Sequence, residues 1–201
     1  GYGLSQFISP RTNRRTDDYG GTLRNRMRLP LRVLDAVRKA VGDDFPILGK
    51  IGLTDGIKDG LHIEEAIEVA AMLDAGGINA LICSGGTSSF NPMVYFRGDT
   101  LDKGLIEVEK NPLTRLGLRI IGPRMFRYYP YEELYFLEDA RRVRDRVTCQ
   151  MVYIGGCTDV ASIETVMREG FDFIQLGRPL IKDPNFVNNA MADRNYQNGC
   201  I

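Results

Sequence analysis

Two glycine-containing segments have the residue types that hold a phosphate group. Gly155-Gly156 follows an apolar run and precedes a predicted helix capped by Thr158 or Asp159. Glycines let backbone N–H groups approach an oxyanion closely, and a helix amino terminus adds partial positive charge. Gly177-Arg178 follows the next apolar run and adds a guanidinium that matches phosphate with two donors. Either segment alone is more simply a tight turn, but their occurrence in consecutive units favours a phosphate site.

Lys50 is a further candidate because it lies in the apolar run 46–51. A charge in such a strand needs a partner, a nearby site or a route to solvent. From the residue alone, three interpretations stay open. They are a snorkelling lysine at a strand end, a ligand contact, and a Schiff-base nucleophile in a desolvated pocket.

Other catalytic motifs are missing from the sequence. His62 is the only histidine, and we expect it to help cap a helix. The sequence has no G-x-S-x-G, GxGxxG or P-loop motif, which argues against a hydrolase triad and these nucleotide sites. The four cysteines are scattered without zinc-type CxxC pairing, which predicts reduced thiols in a cytoplasmic protein.

Composition excludes several protein classes. The 201 residues are 43% hydrophobic, with 26 basic and 26 acidic side chains. Zero net charge disfavours nucleic acid and membrane surfaces as partners, and no apolar run approaches the roughly 18 residues of a membrane span. The charged segment 11–28 interleaves arginines with Asp17 and Asp18, so we interpret it as a salt-bridged structural loop.

The predicted elements alternate between helix and strand. Pro30 either kinks the first long helix or marks the first turn of a shorter one. Residues 1–21 are turn-rich, and 87–132 show no clear period. The predicted strands are 46–51, 80–83, 150–154 and 173–176, and the helices are 23–41, 63–74, 134–147, one from about 159 to 170, and one from about 183. This order predicts an α/β fold with parallel strands, either an open sheet or half of an eight-stranded barrel, with ligands at the carboxyl ends of the strands.

The amino-terminal motif is long and specific. GYGLSQFISP (1–10), NRRTDDYGG (13–21) and NR (25–26) strongly resemble the Old Yellow Enzyme family of FMN-dependent NAD(P)H:flavin oxidoreductases and ene-reductases, which includes the dienoyl-CoA reductases. The resemblance continues at SGG (84–86), GG (155–156) and GRPLI (177–181). It implies a (β/α)8 TIM barrel of which this chain, a single partial domain over 1–201, carries strands five to eight. The amino-terminal half and a carboxyl-terminal Cys-rich segment would be absent.

The resemblance also implies roles for particular residues. Tyr2 would protonate an activated alkene of the enone or enoyl type, after hydride transfer from NAD(P)H through FMN. Lys50 would lie beside the flavin pyrimidine ring. Cys200 matches the first cysteine of a segment that binds a 4Fe–4S cluster in the dienoyl-CoA reductase branch. The remaining implied FMN-binding residues are Ser84, Gly155, Gly156, Gly177 and Arg178.

Two departures and two rival functions accompany this interpretation. Cys157 stands where a branched aliphatic residue is more usual, and the loop after Ser84 lacks the histidine of dienoyl-CoA reductases. The rivals are a phosphate-binding barrel aldolase with Lys50 as Schiff base, and a non-catalytic half-barrel that binds a ligand or a partner half. We expect the isolated piece to be inactive or very weak, and to self-associate through open barrel edges.

Overall fold

A computed structural model of the chain describes residues 3–98, 100–125 and 128–200. Its strands are β1 (Leu48–Gly52), β2 (Ala80–Ser84), β3 (Gln150–Tyr153) and β4 (Phe173–Ile174). Its α-helices are α1 (Gly3–Ile8), α2 (Leu23–Arg26), α3 (Arg28–Val41), α4 (Ile63–Ala75), α5 (Thr100–Val108), α6 (Pro112–Met125), α7 (Leu137–Arg144), α8 (Val160–Arg168), α9 (Arg178–Lys182) and α10 (Phe186–Ala192). A short 3-10 helix spans Pro92–Val94.

The strands form one parallel sheet in the order β1-β2-β3-β4, which confirms the predicted α/β class. One row across the sheet pairs Lys50 with Ile82, Ile82 with Val152 and Val152 with Phe173. Paired residues in neighbouring parallel strands point to the same face. Because all four strands run in the same direction, their carboxyl ends lie at one edge of the sheet.

The two faces of the sheet differ in how they are covered. One face is buried beneath α4, α7 and α8, and its side chains form the core: Leu81 and Tyr153 are 0% exposed. On the opposite face, Leu48 and Phe173 are 55% and 53% exposed. Apolar strand residues usually pack against a second layer. The sheet therefore presents a partly uncovered apolar face.

Several element boundaries differ from the sequence prediction, and the strand predicted over 46–51 spans Leu48–Gly52. The predicted helix 23–41 is divided at Met27, and Pro30 lies in the first turn of α3, where its missing N–H is tolerated. The predicted helix 134–147 is shorter, and the predicted strand 173–176 ends at Ile174. The turn-rich segment 1–21 contains α1, and the segment 87–132, which shows no clear period, contains α5 and α6.

The charged segment 11–28 is structural, as predicted. Arg26 is 2% exposed and its guanidinium contacts Glu65 and the Ile8 carbonyl, while Nε donates to the Gly21 carbonyl oxygen at 3.1 Å. A buried guanidinium is stable only when its donors are satisfied in this way. Across the described ranges, every helix is too short or too polar to cross a membrane.

The start of α8 offers a local test of the fold. The Asp159 carboxylate accepts a hydrogen bond from the Ser162 amide at 2.8 Å, and the Ser162 hydroxyl accepts one from the Asp159 amide at 3.4 Å. We expect Asp159→Ala to lower the free energy of unfolding by about 1 kcal/mol, because this capping box is lost. Asp159→Asn keeps the acceptor oxygen and serves as the control. Urea unfolding measures both, and an equal loss in the two variants would contradict the assignment.

Candidate functional site

A cavity of about 170 Å³ lies at the carboxyl edge of the sheet. A single water needs roughly 10–15 Å³ on this measure, so the cavity has room for a much larger group. Seven of the predicted site residues line it: Lys50, Ser84, Gly155, Gly156, Gly177, Arg178 and Cys200. Tyr2, the predicted proton donor, lies outside the described residues.

The first cavity wall is the segment after β3, residues 154–158, which we name the β3 loop. Gly155 and Gly156 have φ angles of +126° and +68°, a backbone region that favours glycine. A Cβ on Gly156 would lie 2.7 Å from the backbone nitrogen of Leu134. Both backbone conformation and space therefore require glycine here.

The second cavity wall is residues 175–179, the β4 loop. Together the two loops carry several amides without a partner. Within the ranges that the structure describes, no hydrogen bond uses the backbone N–H of residues 155–158, 177 or 178. Buried or half-buried backbone donors are normally paired with protein, water or a ligand. Residues 155–158 and Arg178 are buried or half-buried and Gly177 is exposed, and all of them line the cavity, so their amides are available as donors at its wall.

Arg178 adds a positive charge to the same cavity. Its Nη1 donates to the carbonyl oxygen of Arg97 at 3.1 Å, which holds the half-buried guanidinium at the wall. Burial raises the pKa of the neighbouring Tyr135, although the charges of Arg178 and Arg97 act in the opposite direction. The cavity thus combines uncharged N–H donors with a guanidinium, a donor set suited to an oxyanion.

An aromatic wall was not identified from the sequence. Tyr95, Phe96, Tyr131 and Tyr135 line the cavity, and Arg97 lies over the Tyr135 ring at 4.7 Å. For Tyr95, Phe96 and Tyr131 the only available signal was the density of aromatic residues in the segment 87–132, which has no clear period. Its fold brings these rings beside β3 and β4, a placement that local sequence does not specify.

Lys50 lies in the middle of β1, and Ser84 is the last residue of the neighbouring strand β2. Lys50 is exposed on the uncovered face of the sheet and, within the described ranges, it has no hydrogen bond or ion pair. A Schiff-base lysine is activated by a desolvated pocket, so this exposure does not favour the aldolase interpretation. Ser84 is half-buried and pairs in register with Gly52.

The cysteines are free thiols, as predicted. Burial raises the pKa of Cys157 to about 12, so this cavity residue stays protonated near neutral pH. Cys200 is half-buried and also lines the cavity. The structure, over the residues it describes, places no three His, Cys, Asp or Glu side chains together for a metal ion. The role of Cys200 as a cluster ligand stays a prediction.

His62 occupies the N-cap position of α4, but the expectation that it helps to cap this helix is wrong, because its side chain makes no capping hydrogen bond. Its Nε2 instead lies 2.9 Å from the Lys58 carbonyl oxygen. This exposed histidine is not among the residues that line the cavity. Its hydrogen bond to Lys58, four residues earlier in the chain, indicates a local structural role.

The two loop glycines should differ in their tolerance of a side chain. We expect Gly156→Ala to destabilise the β3 loop by about 1–3 kcal/mol and to weaken phosphate binding, because of its positive φ and the close Leu134 nitrogen. Gly177→Ala is the matched control, since a Cβ there meets nothing within 4 Å. Thermal unfolding and phosphate titration measure both effects. Equal behaviour of the two variants would contradict the loop geometry.

Comparison with known proteins shows what this chain is similar to. Residues 1–89 match the family model of the NADH:flavin oxidoreductase / NADH oxidase family. The chain is 36% identical over 201 residues to 4,4'-dithiodibutanoate disulfide reductase of Rhodococcus erythropolis, covering all of this chain and 50% of that protein. It is 38% identical over 196 residues to the multifunctional alkene reductase/demethylase OYE of Caballeronia cordobensis, covering 96% of this chain and 24% of that protein.

A solved structure supports the fold. The old yellow enzyme homologue from Zymomonas mobilis matches with a TM-score of 0.62 and 18% identity, covering 98% of this chain and 45% of that one. The chain spans half or less of the length of these relatives. The family model matches residues 1–89 and the relatives extend the similarity along the whole chain, which confirms the resemblance that the Old Yellow Enzyme-like motifs predict.

Proposed function

We propose that the intact protein is an FMN-dependent oxidoreductase and that this chain holds the phosphate end of its cofactor. One observation carries the proposal: the unpaired amides of both loops and the Arg178 guanidinium converge on one cavity at the carboxyl edge of a parallel sheet. Parallel α/β folds place ligands at this edge, and barrels often place phosphates after their last two strands.

We propose further that the four strands are strands five to eight of a (β/α)8 barrel. The uncovered sheet face supports this assignment, because Leu48 and Phe173 are exposed where a closed barrel would bury them against other strands. Both β1 and β4 have one unpaired edge within the part of the chain that the structure describes. The rest of the barrel would cover these edges, and without it they favour self-association.

The cavity residues fit FMN at its phosphate end. Amide N–H groups of the β3 loop and the β4 loop would bind the phosphate oxygens, and Arg178 would balance their charge. Lys50 would place a cation beside the flavin pyrimidine ring, and Ser84 would offer a hydroxyl at the same edge. When bound, FMN would supply hydride transfer between NAD(P)H and an activated alkene.

The substrate assignment rests on the resemblance and on a relative named as an alkene reductase. Tyr2 would hold the proton for the substrate carbon next to the one that accepts hydride, since a phenol can act as general acid. The disulfide reductase among the relatives shows that other substrates occur in proteins similar to this chain. The alkene is therefore our proposal for the intact protein.

The phosphate assignment has a direct test. We expect the purified chain to bind FMN saturably, with a flavin absorbance spectrum in the folded sample. Arg178→Ala should weaken this affinity about 10-fold to 100-fold, because a charge-assisted contact to phosphate is lost. Flavin fluorescence titration measures the affinity.

Lys182→Ala is the matched control, because Lys182 is a cation of α9 outside the cavity lining. It should leave FMN affinity unchanged. A folded chain without saturable FMN binding would contradict the proposal that this chain holds the phosphate end. Equal weakening by the two substitutions would contradict the role of Arg178.

A further inference from the structure

Asn198 is a buried polar residue with no assigned role. It is 2% exposed, and it lies in the segment after α10. Its backbone N–H donates to the carbonyl oxygen of Thr158 at 2.8 Å. Its side-chain Nδ2 donates to the carbonyl oxygen of Pro179, also at 2.8 Å. Thr158 and Pro179 both line the cavity, one from each loop.

This double contact matters because, among the residues that the structure describes, no other hydrogen bond joins the two loops. The β3–β4 pairing covers only Val152 with Phe173 and Tyr153 with Ile174, and its last bond runs from the Gln175 amide to the Tyr153 carbonyl oxygen at 2.8 Å. Beyond that point, no hydrogen bond within the described ranges joins the β3 loop directly to the β4 loop. Asn198 therefore connects the two loops beyond the last hydrogen bond between β3 and β4.

The chemistry of the side chain suits a bridge. A carbonyl oxygen can only accept, so the amide NH₂ of Asn198 must face Pro179, which leaves Oδ1 on the other side. Oδ1 is buried and has no hydrogen-bond partner within the described part of the chain. An unpaired buried acceptor lowers the stability of the fold, so packing alone does not explain why asparagine occupies this position.

We infer that Asn198 is a positioning residue, which sets the separation of the two loops so that their amides contact one phosphate group together. This inference rests on the proposed function. A phosphate bound by both loops needs their donors within hydrogen-bond distance of the same few oxygen atoms, and sub-ångström misplacement weakens such contacts. Asn198 itself need not touch the ligand, because it acts through the Thr158 and Pro179 backbone.

The test compares FMN with riboflavin, which lacks the phosphate. We expect wild-type chain to prefer FMN, and Asn198→Leu to reduce the ratio of the two affinities about 10-fold by removing the bond to Pro179 at similar side-chain volume. Asn198→Ser removes the same bond and is the second variant if Asn198→Leu does not fold. Gln197→Ala is the matched control, because this neighbouring side chain is exposed. A loss of FMN affinity with unchanged riboflavin affinity indicates positioning. General destabilisation would instead weaken the binding of both ligands equally.

The outcomes distinguish this inference from the proposed function. A wild-type chain that binds FMN no better than riboflavin would contradict the phosphate assignment, and the positioning role would fall with it. A wild-type preference that both variants retain would overturn the role of Asn198 alone. Equal weakening of both ligands, or unfolding of both variants, would show a general structural role and would also overturn it.

Discussion

Parallel pairing of four short strands is the constraint on which the cavity depends. The register places Lys50, Ile82, Val152 and Phe173 in one row, so the segments that follow the strands leave the sheet at the same edge. Residues far apart in sequence, such as Lys50 and Arg178, consequently line one cavity. A one-residue slip in any strand would move its side chains to the opposite face and separate these groups.

The chemistry of the site depends mainly on backbone atoms. Positive φ angles at Gly155 and Gly156 turn the chain so that consecutive amides lie at the cavity, and the Leu134 nitrogen excludes a side chain at Gly156. An unpaired buried amide costs free energy, which is regained when an oxyanion or water accepts a hydrogen bond from it. The site therefore exchanges some stability for donors that are already oriented.

Much of this arrangement could be predicted from the sequence. The amino-terminal motif predicted the family that the comparisons support, and the segments Gly155-Gly156 and Gly177-Arg178 predicted cavity residues that the structure places together. Strand and helix order followed from apolar spacing. The helix α6 was missed because Pro112 and its glycines obscure the spacing of Leu113, Leu116 and Ile120, which are exposed. Its apolar stripe does not face the core, so it lacks the pattern that marks a packed helix.

Contacts between distant segments could not be predicted. Arg178 is held by the carbonyl of Arg97, 81 positions away, and Asn198 connects Thr158 with Pro179. Every residue has a backbone carbonyl, so the residue type of the acceptor does not indicate such a contact. Neither contact could therefore be predicted from the local sequence. The role of Tyr2 depends on resemblance alone, because it lies outside the described residues.

The central claim is that the two loops bind one phosphate group through their amides. Titration of the ¹⁵N-labelled chain with inorganic phosphate tests it most directly, because each amide reports separately. The account predicts saturable chemical-shift changes that share one dissociation constant and concentrate at residues 155–158, 177 and 178. Shift changes that are absent from these amides, or that are confined to one loop with the other unaffected, would contradict it.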